Sequence, residues 1–316
     1  MKTISSGFLV LLAACASAPR TGDRLPRQGD EIVVCGQLFH TGTKVVLWSD
    51  PGGYDAYRTT PRFQKSTQSQ PQEKARYGAR RNLPQDLEQR VEERGMALED
   101  LQRIARMFVL HYDVAGTARG CFRTLQDDRI LSVHFLLDSD GTIYQTLDLK
   151  ERAWHATVAN DASVGIEIAQ IGAYPQPGHP VLRSWYKTDE QGPYVAFPGV
   201  KVTGIATPGF VARPARKELV SGEIHGQKYY QYDFTNEQYA ALAKLCATLH
   251  VALPRILLDV PRKGDGTMTT TNLSDQELAS YEGLLGHFHV QRNKQDPGPA
   301  FDWDRLLAAA RSYLPP

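Results

Sequence analysis

Three stretches of the chain gather side chains able to hold a metal ion and move protons. His111 ends the apolar run Met107-Phe108-Val109-Leu110, Glu167 lies inside Val164-Gly165-Ile166-Glu167-Ile168, and Gly286-His287-Phe288-His289 is followed by Lys294-Gln295-Asp296-Pro297-Gly298-Pro299. A catalytic zinc needs three protein ligands, drawn from neutral imidazole and carboxylate, with a fourth place open. A carboxylate base and a cation facing a developing oxyanion complete the needs of a metal-assisted hydrolase. The three stretches supply each of these. Singly each is weak, because a histidine beside an apolar run is more often a hydrogen-bonded structural residue. The acidic pair Asp138 and Asp140 invites comparison with a glycosidase dyad, but it sits in Asp138-Ser139-Asp140-Gly141 and reads as turn chemistry.

The elements that must position these residues follow from pattern. Glu31-Ile32-Val33-Val34-Cys35 and Thr43-Lys44-Val45-Val46-Leu47-Trp48 are strand-like, and residues 31–84 read as an N-terminal extension packed on the catalytic domain, with 58–84 as a polar, irregular surface segment. Leu87, Val91, Leu98, Leu101 and Ile104 predict a helix over 83–107 that Gly95 can split. Strands are expected at 107–110, at 133–137 and 142–147 joined by an Asp-Gly turn, at 163–168 and at 255–261. Thr235 caps a helix to about Leu253, and 302–313 closes the chain as a helix. Residues 170–230, rich in Pro, Gly and aromatic residues, read as a long insertion of the kind that forms walls or lids. The expected fold class is α/β, a mixed central β-sheet flanked by helices, with the catalytic domain over 85–316.

Composition narrows the function classes. With 316 residues, 41% hydrophobic and 22% charged, the chain has the balance of an ordinary globular protein, and a formal charge of +1 gives no support to a nucleic-acid partner. Met1-Lys2 leads into Phe8-Leu9-Val10-Leu11-Leu12-Ala13-Ala14-Cys15, an apolar run too short to span a bilayer, which fits a secretory signal. Leu12-Ala13-Ala14-Cys15 resembles the bacterial lipobox, which makes Cys15 the lipid anchor of the mature chain, residues 1–15 its signal peptide and 16–30 a tether. Ala16, not being an aspartate, leans by analogy toward the outer membrane facing the periplasm. Cys35, Cys121 and Cys246 then remain, either as one bridge and a thiol or as three buried thiols.

In combination the segments resemble the type 2 N-acetylmuramoyl-L-alanine amidase family, whose fold is shared with peptidoglycan-recognition proteins. The resemblance runs from about Arg106 to Leu314. It rests on Ser132-Val133-His134-Phe135-Leu136-Leu137-Asp138 with Asp140-Gly141-Thr142-Ile143-Tyr144-Gln145, on Arg152-Ala153-Trp154-His155-Ala156, on Ser163 to Ile168, and on Gly286-His287 through Pro299. It implies zinc held by His111, His287 and Asp296, with Glu167 activating the zinc water and Lys294 facing the oxyanion. It implies as substrate the lactyl amide of peptidoglycan or a muropeptide.

The interval from His287 to Asp296 departs slightly from the family's. Strand alternation from His287 would put Phe288 on the opposite side and His289 on the same side, beside the ligands or against substrate. His134 reads as packed inside the sheet. Trp154 and His155 either build the core or line the sugar site, with the family favouring the site for His155, and Asn160 either helps bind the muropeptide or is loop polarity. A binding protein that has lost catalysis, or a zinc hydrolase of another amide, are the competing functions.

Overall fold

The computed structural model describes residues 27–63 and 74–314; Cys15 and most of the expected tether lie outside them. The chain opens with a hairpin of β1 (Glu31–Val34) and β2 (Gln37–His40), then β3 (Val45–Leu47). β4 (Tyr77–Gly78) precedes α1 (Gln85–Arg94) and α2 (Leu98–Ile104), the expected long helix being split at Gly95, whose φ of 77° ends α1. Next come β5 (Met107–Tyr112), α3 (Ala118–Arg123) continued by a π-helical turn, Thr124–Arg129, and then β6 (Phe135–Leu137), β7 (Ile143–Gln145), β8 (Arg152–Ala153) and β9 (Ser163–Ile168).

The insertion holds α4 (Pro180–Trp185), the hairpin β10 (Tyr186–Asp189) with β11 (Gly192–Val195), and the hairpin β12 (Val220–Ile224) with β13 (Gln227–Gln231). The chain ends with α5 (Asn236–Ala252), α6 (Asp275–Ser280), β14 (Gly283–Gly286), the single turn α7 (His287–Val290) and α8 (Trp303–Ser312). α5 starts at a capping box: Gln238 N–H donates to Thr235 Oγ1 at 3.0 Å and Thr235 N–H to Gln238 Oε1 at 2.9 Å.

The central sheet has six strands in the order β14-β5-β9-β6-β7-β3, all parallel to their neighbours except β6 with β7. Alternation along the strands sorts its two faces. Phe108, Leu110, Val164, Ile166, Phe135 and Leu137 pack with α5 and α8 in the largest core. On the other face, Met107 and Val109 pack with Leu285 and Ala156, and Leu136 and Tyr144 with Phe122 and Leu125. His111 continues the row of Met107 and Val109, and so leaves the sheet on the face away from α5.

Several expectations need correction. The extension 31–84 does more than pack on the domain, because β3 joins the sheet as its edge, paired in parallel with β7. The segment expected to be a polar surface carries two buried arginines, Arg76 and Arg80. Arg80, 4% exposed, donates from Nη1 to the carbonyls of Asn160, Asp161 and Ser163 at 3.4, 2.9 and 3.1 Å and from Nη2 to that of Leu149 at 2.7 Å. Burial pulls its pKa down to about 10, which leaves it charged at neutral pH. No strand forms over 255–261: Ile256 N–H and Leu257 N–H donate to Leu253 and Arg255 in turns, and the segment meets β14 through Leu284 N–H to the Asp259 carbonyl. Cys35, Cys121 and Cys246 are free thiols. Among the described residues no helix is long and apolar enough to cross a membrane.

Arg80→Ala removes a buried charge and strands the carbonyls it satisfied, so it is expected to lower the unfolding free energy by about 3 kcal/mol in urea titration. A loss below about 1 kcal/mol would show that water replaces the guanidinium.

Candidate metal centre

Three elements converge at the carboxyl end of the parallel strands. Parallel pairing sets His111 on β5 beside Glu167 on β9. β14 runs alongside β5 with Gly286 opposite Leu110, so the next residue, His287, emerges beside His111. Gly286 is required there, because a Cβ would lie 2.8 Å from Pro297 Cδ and 2.7 Å from Phe288 Cε1. The loop after α7 returns Asp296, followed by a cis bond to Pro297.

His111 Nδ1, His287 Nδ1 and Asp296 Oδ2 form a triangle with sides of 2.9, 3.0 and 3.0 Å, and all three residues are buried. Ligands about 2.0 Å from a tetrahedral zinc stand about 3.3 Å apart, so the triangle is one slightly contracted face of such a site. Two imidazole nitrogens and a carboxylate oxygen brought this close, with only protons to share, are what a cation relieves. The donor set therefore fits zinc.

The far sides of both rings are held. His287 Nε2 meets Gln291 Oε1 at 2.7 Å, so Nε2–H donates to the amide and leaves the Nδ1 lone pair toward the triangle. His111 Nε2 meets His155 Nδ1 at 3.0 Å, and His155 Nε2 meets Ser163 Oγ at 3.3 Å. With His111 Nδ1 free for a metal, Nε2–H donates to His155, whose own Nε2–H donates to Ser163. His155 fits against β9 only because residue 165 is glycine: a Cβ there would lie 2.5 Å from its ring. The insertion braces the third ligand, since the buried Gln231 of β13 donates to the Pro297 carbonyl at 2.9 Å and accepts from Ala300 N–H at 3.0 Å.

Burial, then the neighbouring His287, lowers His111 to about 4, and burial followed by His111 and His134 holds His155 well below the usual range. Both rings are neutral, the form that binds metal. Burial raises the Asp296 carboxyl, but the imidazoles of His287 and His111, each within 3.0 Å of its Oδ2, outweigh it and keep Asp296 ionised. Glu167 goes the other way: burial, then Asp296 and Asp113, raises it well above the carboxylate range. Its buried Oε2 has no hydrogen-bond partner among the described residues, as a group reserved for a reacting molecule would.

A cavity of about 350 Å³ opens over the triangle, lined among others by His111, Glu167, His287, Lys294 and Asp296, with Trp154 and His155 on its wall. Of the remaining candidates, Asn160 is buried behind the wall, its Oδ1 accepting from His155 N–H at 3.1 Å and Ala156 N–H at 2.7 Å. His289 turns away, because α7 replaces the expected strand: its Nδ1 accepts from Gly286 N–H at 2.9 Å and its Nε2 faces the Thr269 carbonyl at 2.8 Å. His134 is packed under the sheet between the Glu151 carbonyl and Gly165 N–H. Gln291, Ser163, Gln231 and Arg129 were not singled out from sequence. Gln291 alone had a local signal, four residues beyond His287 and one helical turn away.

A mixed α/β sheet whose parallel strand ends converge on a His-His-Asp triangle under an open cavity defines a protein with a site that could hold a metal ion. The chain belongs to the Amidase_2 family, N-acetylmuramoyl-L-alanine amidase, whose profile matches residues 101–299. No curated protein sequence matches it. Similar solved structures include a Se-Met AmpD derivative (18% identity, TM-score 0.34, 74% of this chain and 89% of that one). A second is the amidase AmiD from E. coli in complex with anhydro-N-acetylmuramic acid-L-Ala-D-gamma-Glu-L-Lys (18%, TM-score 0.36, 65% of this chain), of which this chain spans 57%. A third is the endolysin amidase LysCS from Clostridium intestinale URNW (13%, TM-score 0.31, 67% and 86%).

Gln291→Ala leaves His287 able to swing and to present the wrong nitrogen. Zinc affinity, read by competition with a chromophoric chelator, is expected to fall about tenfold or more, and an unchanged affinity would sink the assigned role of the amide.

Proposed function

We propose that the protein hydrolyses the amide between the lactyl group of N-acetylmuramic acid and the L-alanine of the stem peptide, in a zinc-dependent reaction. The observation that carries this is the triangle of His111, His287 and Asp296 beside a buried, unpartnered Glu167 oxygen in a chain of this amidase family. His111, His287 and Asp296 would hold the zinc, which would supply a Lewis acid to polarise the scissile carbonyl and lower the pKa of water. The chain's own groups do the rest. Glu167 Oε2, a carboxylate once a cation sits in the triangle beside it, would take the proton of the attacking water and pass it to the leaving L-alanine nitrogen. Lys294, on the same cavity wall, offers its ammonium to the oxygen that gains charge as the tetrahedral centre forms. Gln291, His155 and Ser163 fix the tautomers of the two ring ligands. Trp154, half-buried in the wall, gives an apolar face on which a sugar ring can lie.

The supporting argument against a silent binding protein is that the ligand set, the base and the cation all face one cavity. The place of action follows from the amino terminus: we propose that Cys15 is lipidated and holds the enzyme in the cell envelope, at the outer membrane facing the periplasm.

Incubation with purified peptidoglycan is expected to release peptides beginning at L-alanine, seen by mass spectrometry, with release lost to a chelator and restored by zinc. Tight binding without release would favour the silent protein. Glu167→Gln should keep full zinc content while turnover drops by at least about 100-fold; a variant still near wild-type rate would remove Glu167 from the proton path. In fractionated cells, Cys15→Ser should move the protein out of the membrane pellet, and its retention there would refute the anchor.

A further inference from the structure

α3 and the π-helical turn after it, Thr124–Arg129, form a wall of the metal cavity through Cys121, Thr124, Leu125 and Arg129. The backbone here is unusual. Both Ile130 N–H and Leu131 N–H fold back on the Leu125 carbonyl, and Ile130 takes φ 53° and ψ 49°, a left-handed conformation that a β-branched residue adopts only where its surroundings impose it. π-turns inside helices concentrate at functional sites for the same reason.

The surroundings that impose it are on the outer side of the turn and come from the N-terminal extension. Asp127 accepts from Arg62 N–H and Phe63 N–H, each at 2.8 Å. The buried Gln126 donates from Nε2 to the Arg58 carbonyl at 2.8 Å, and its own carbonyl accepts from Arg76 Nε at 2.8 Å. These contacts pin the turn from behind. What the turn presents in front is Arg129, an exposed side chain on the cavity wall. Among the described residues Arg129 has no hydrogen bond or ion pair, and its charge is felt by Glu167 and Cys121 across the cavity. Lys294, the other cation of this cavity, already has a task at the scissile carbonyl.

We propose that Arg129 is a specificity-determining residue that binds a free carboxylate of the stem peptide next to the scissile amide, with the extension holding the π-turn that aims it. This rests on the proposed amidase reaction and names its substrate more closely. A stem in which a γ-linked glutamate follows L-alanine keeps that glutamate's α-carboxylate free, and a planar guanidinium takes a carboxylate in a paired, directional contact. A stem whose glutamate is amidated offers no such charge and loses that contact.

The test uses the full-length protein and two muramoyl peptides, identical except that the γ-linked glutamate's α-carboxyl is free in one and amidated in the other. Wild type should prefer the free acid. Arg129→Ala should raise KM for the free acid about ten- to a hundredfold, with kcat within about twofold and KM for the amide within about threefold. Arg129→Lys, which keeps the charge but not the fork, should recover part of the preference. Arg123→Ala, on the same helix but lining a separate groove with Arg119 and Lys201, should behave as wild type. An equal effect of Arg129→Ala on both substrates, or none on either, would overturn the proposal while leaving the amidase reaction standing. Wild-type protein that cleaves neither peptide would overturn the amidase reaction, and this inference with it.

Discussion

The site depends on one constraint, the parallel pairing of β5 with β9 on one side and with β14 on the other. Parallel neighbours lie about 4.8 Å apart with paired residues on a common face. The registers His111↔Glu167 and Leu110↔Gly286 therefore place the first histidine of the triangle, the buried glutamate and the stem of the second histidine within one side chain's reach, with no loop involved. A slip of one residue in either register would send the histidine to the opposite face, into the core packed on α5. The core residues that alternate with the functional ones, Phe108 and Leu110 on β5 and Val164 and Ile166 on β9, are what hold the register.

The third ligand and the wall opposite need support from outside the sheet, and two segments beyond its parallel centre supply it. The insertion reaches back through Gln231 to the loop of Asp296, and His225 Nε2 meets the Lys294 carbonyl at 3.1 Å. The insertion is thus a brace for the loop that carries both Asp296 and Lys294, besides contributing Ile171 to Tyr174 to the cavity wall. The extension adds β3 to the sheet, clamps the loop behind His155 with Arg80, and pins the turn that carries Arg129. The centre keeps its geometry because buried polar groups on both sides have nowhere else to find partners.

What could be read from sequence was local. The Asp-Gly turn between β6 and β7, the capping box at Thr235 and Gln238, the split at Gly95 and the full length of β9 are each decided by a few adjacent residues. What could not be read was settled by distant partners. Arg76 and Arg80 stand in a stretch whose composition points to solvent, and their burial is decided by carbonyls such as those of Gln126, Leu149 and Ser163. The pairing of β3 with β7 joins segments about as far apart in the chain as a small domain is long. His289 was placed by a period of two, and the chain turned helical at the residue where that period was applied, carrying the ring away from the site. The run 255–261 has a strand's composition but spends its backbone hydrogen bonds in turns. Asn160 reads from sequence as either a substrate contact or loop polarity and His155 as either core or site wall; in the fold Asn160 holds the backbone of His155, and His155 lines the cavity while backing His111.

The pairing of β14 with β5 also sets when this enzyme can exist. His111 and Glu167 come earlier in the chain, whereas His287 and Asp296 follow β14, the last strand of the central sheet in chain order. Until that edge is filled the triangle has only its His111 corner. A chain whose carboxyl-terminal stretch is unfolded lacks two of the three corners of the triangle, so the centre is complete only when the fold is.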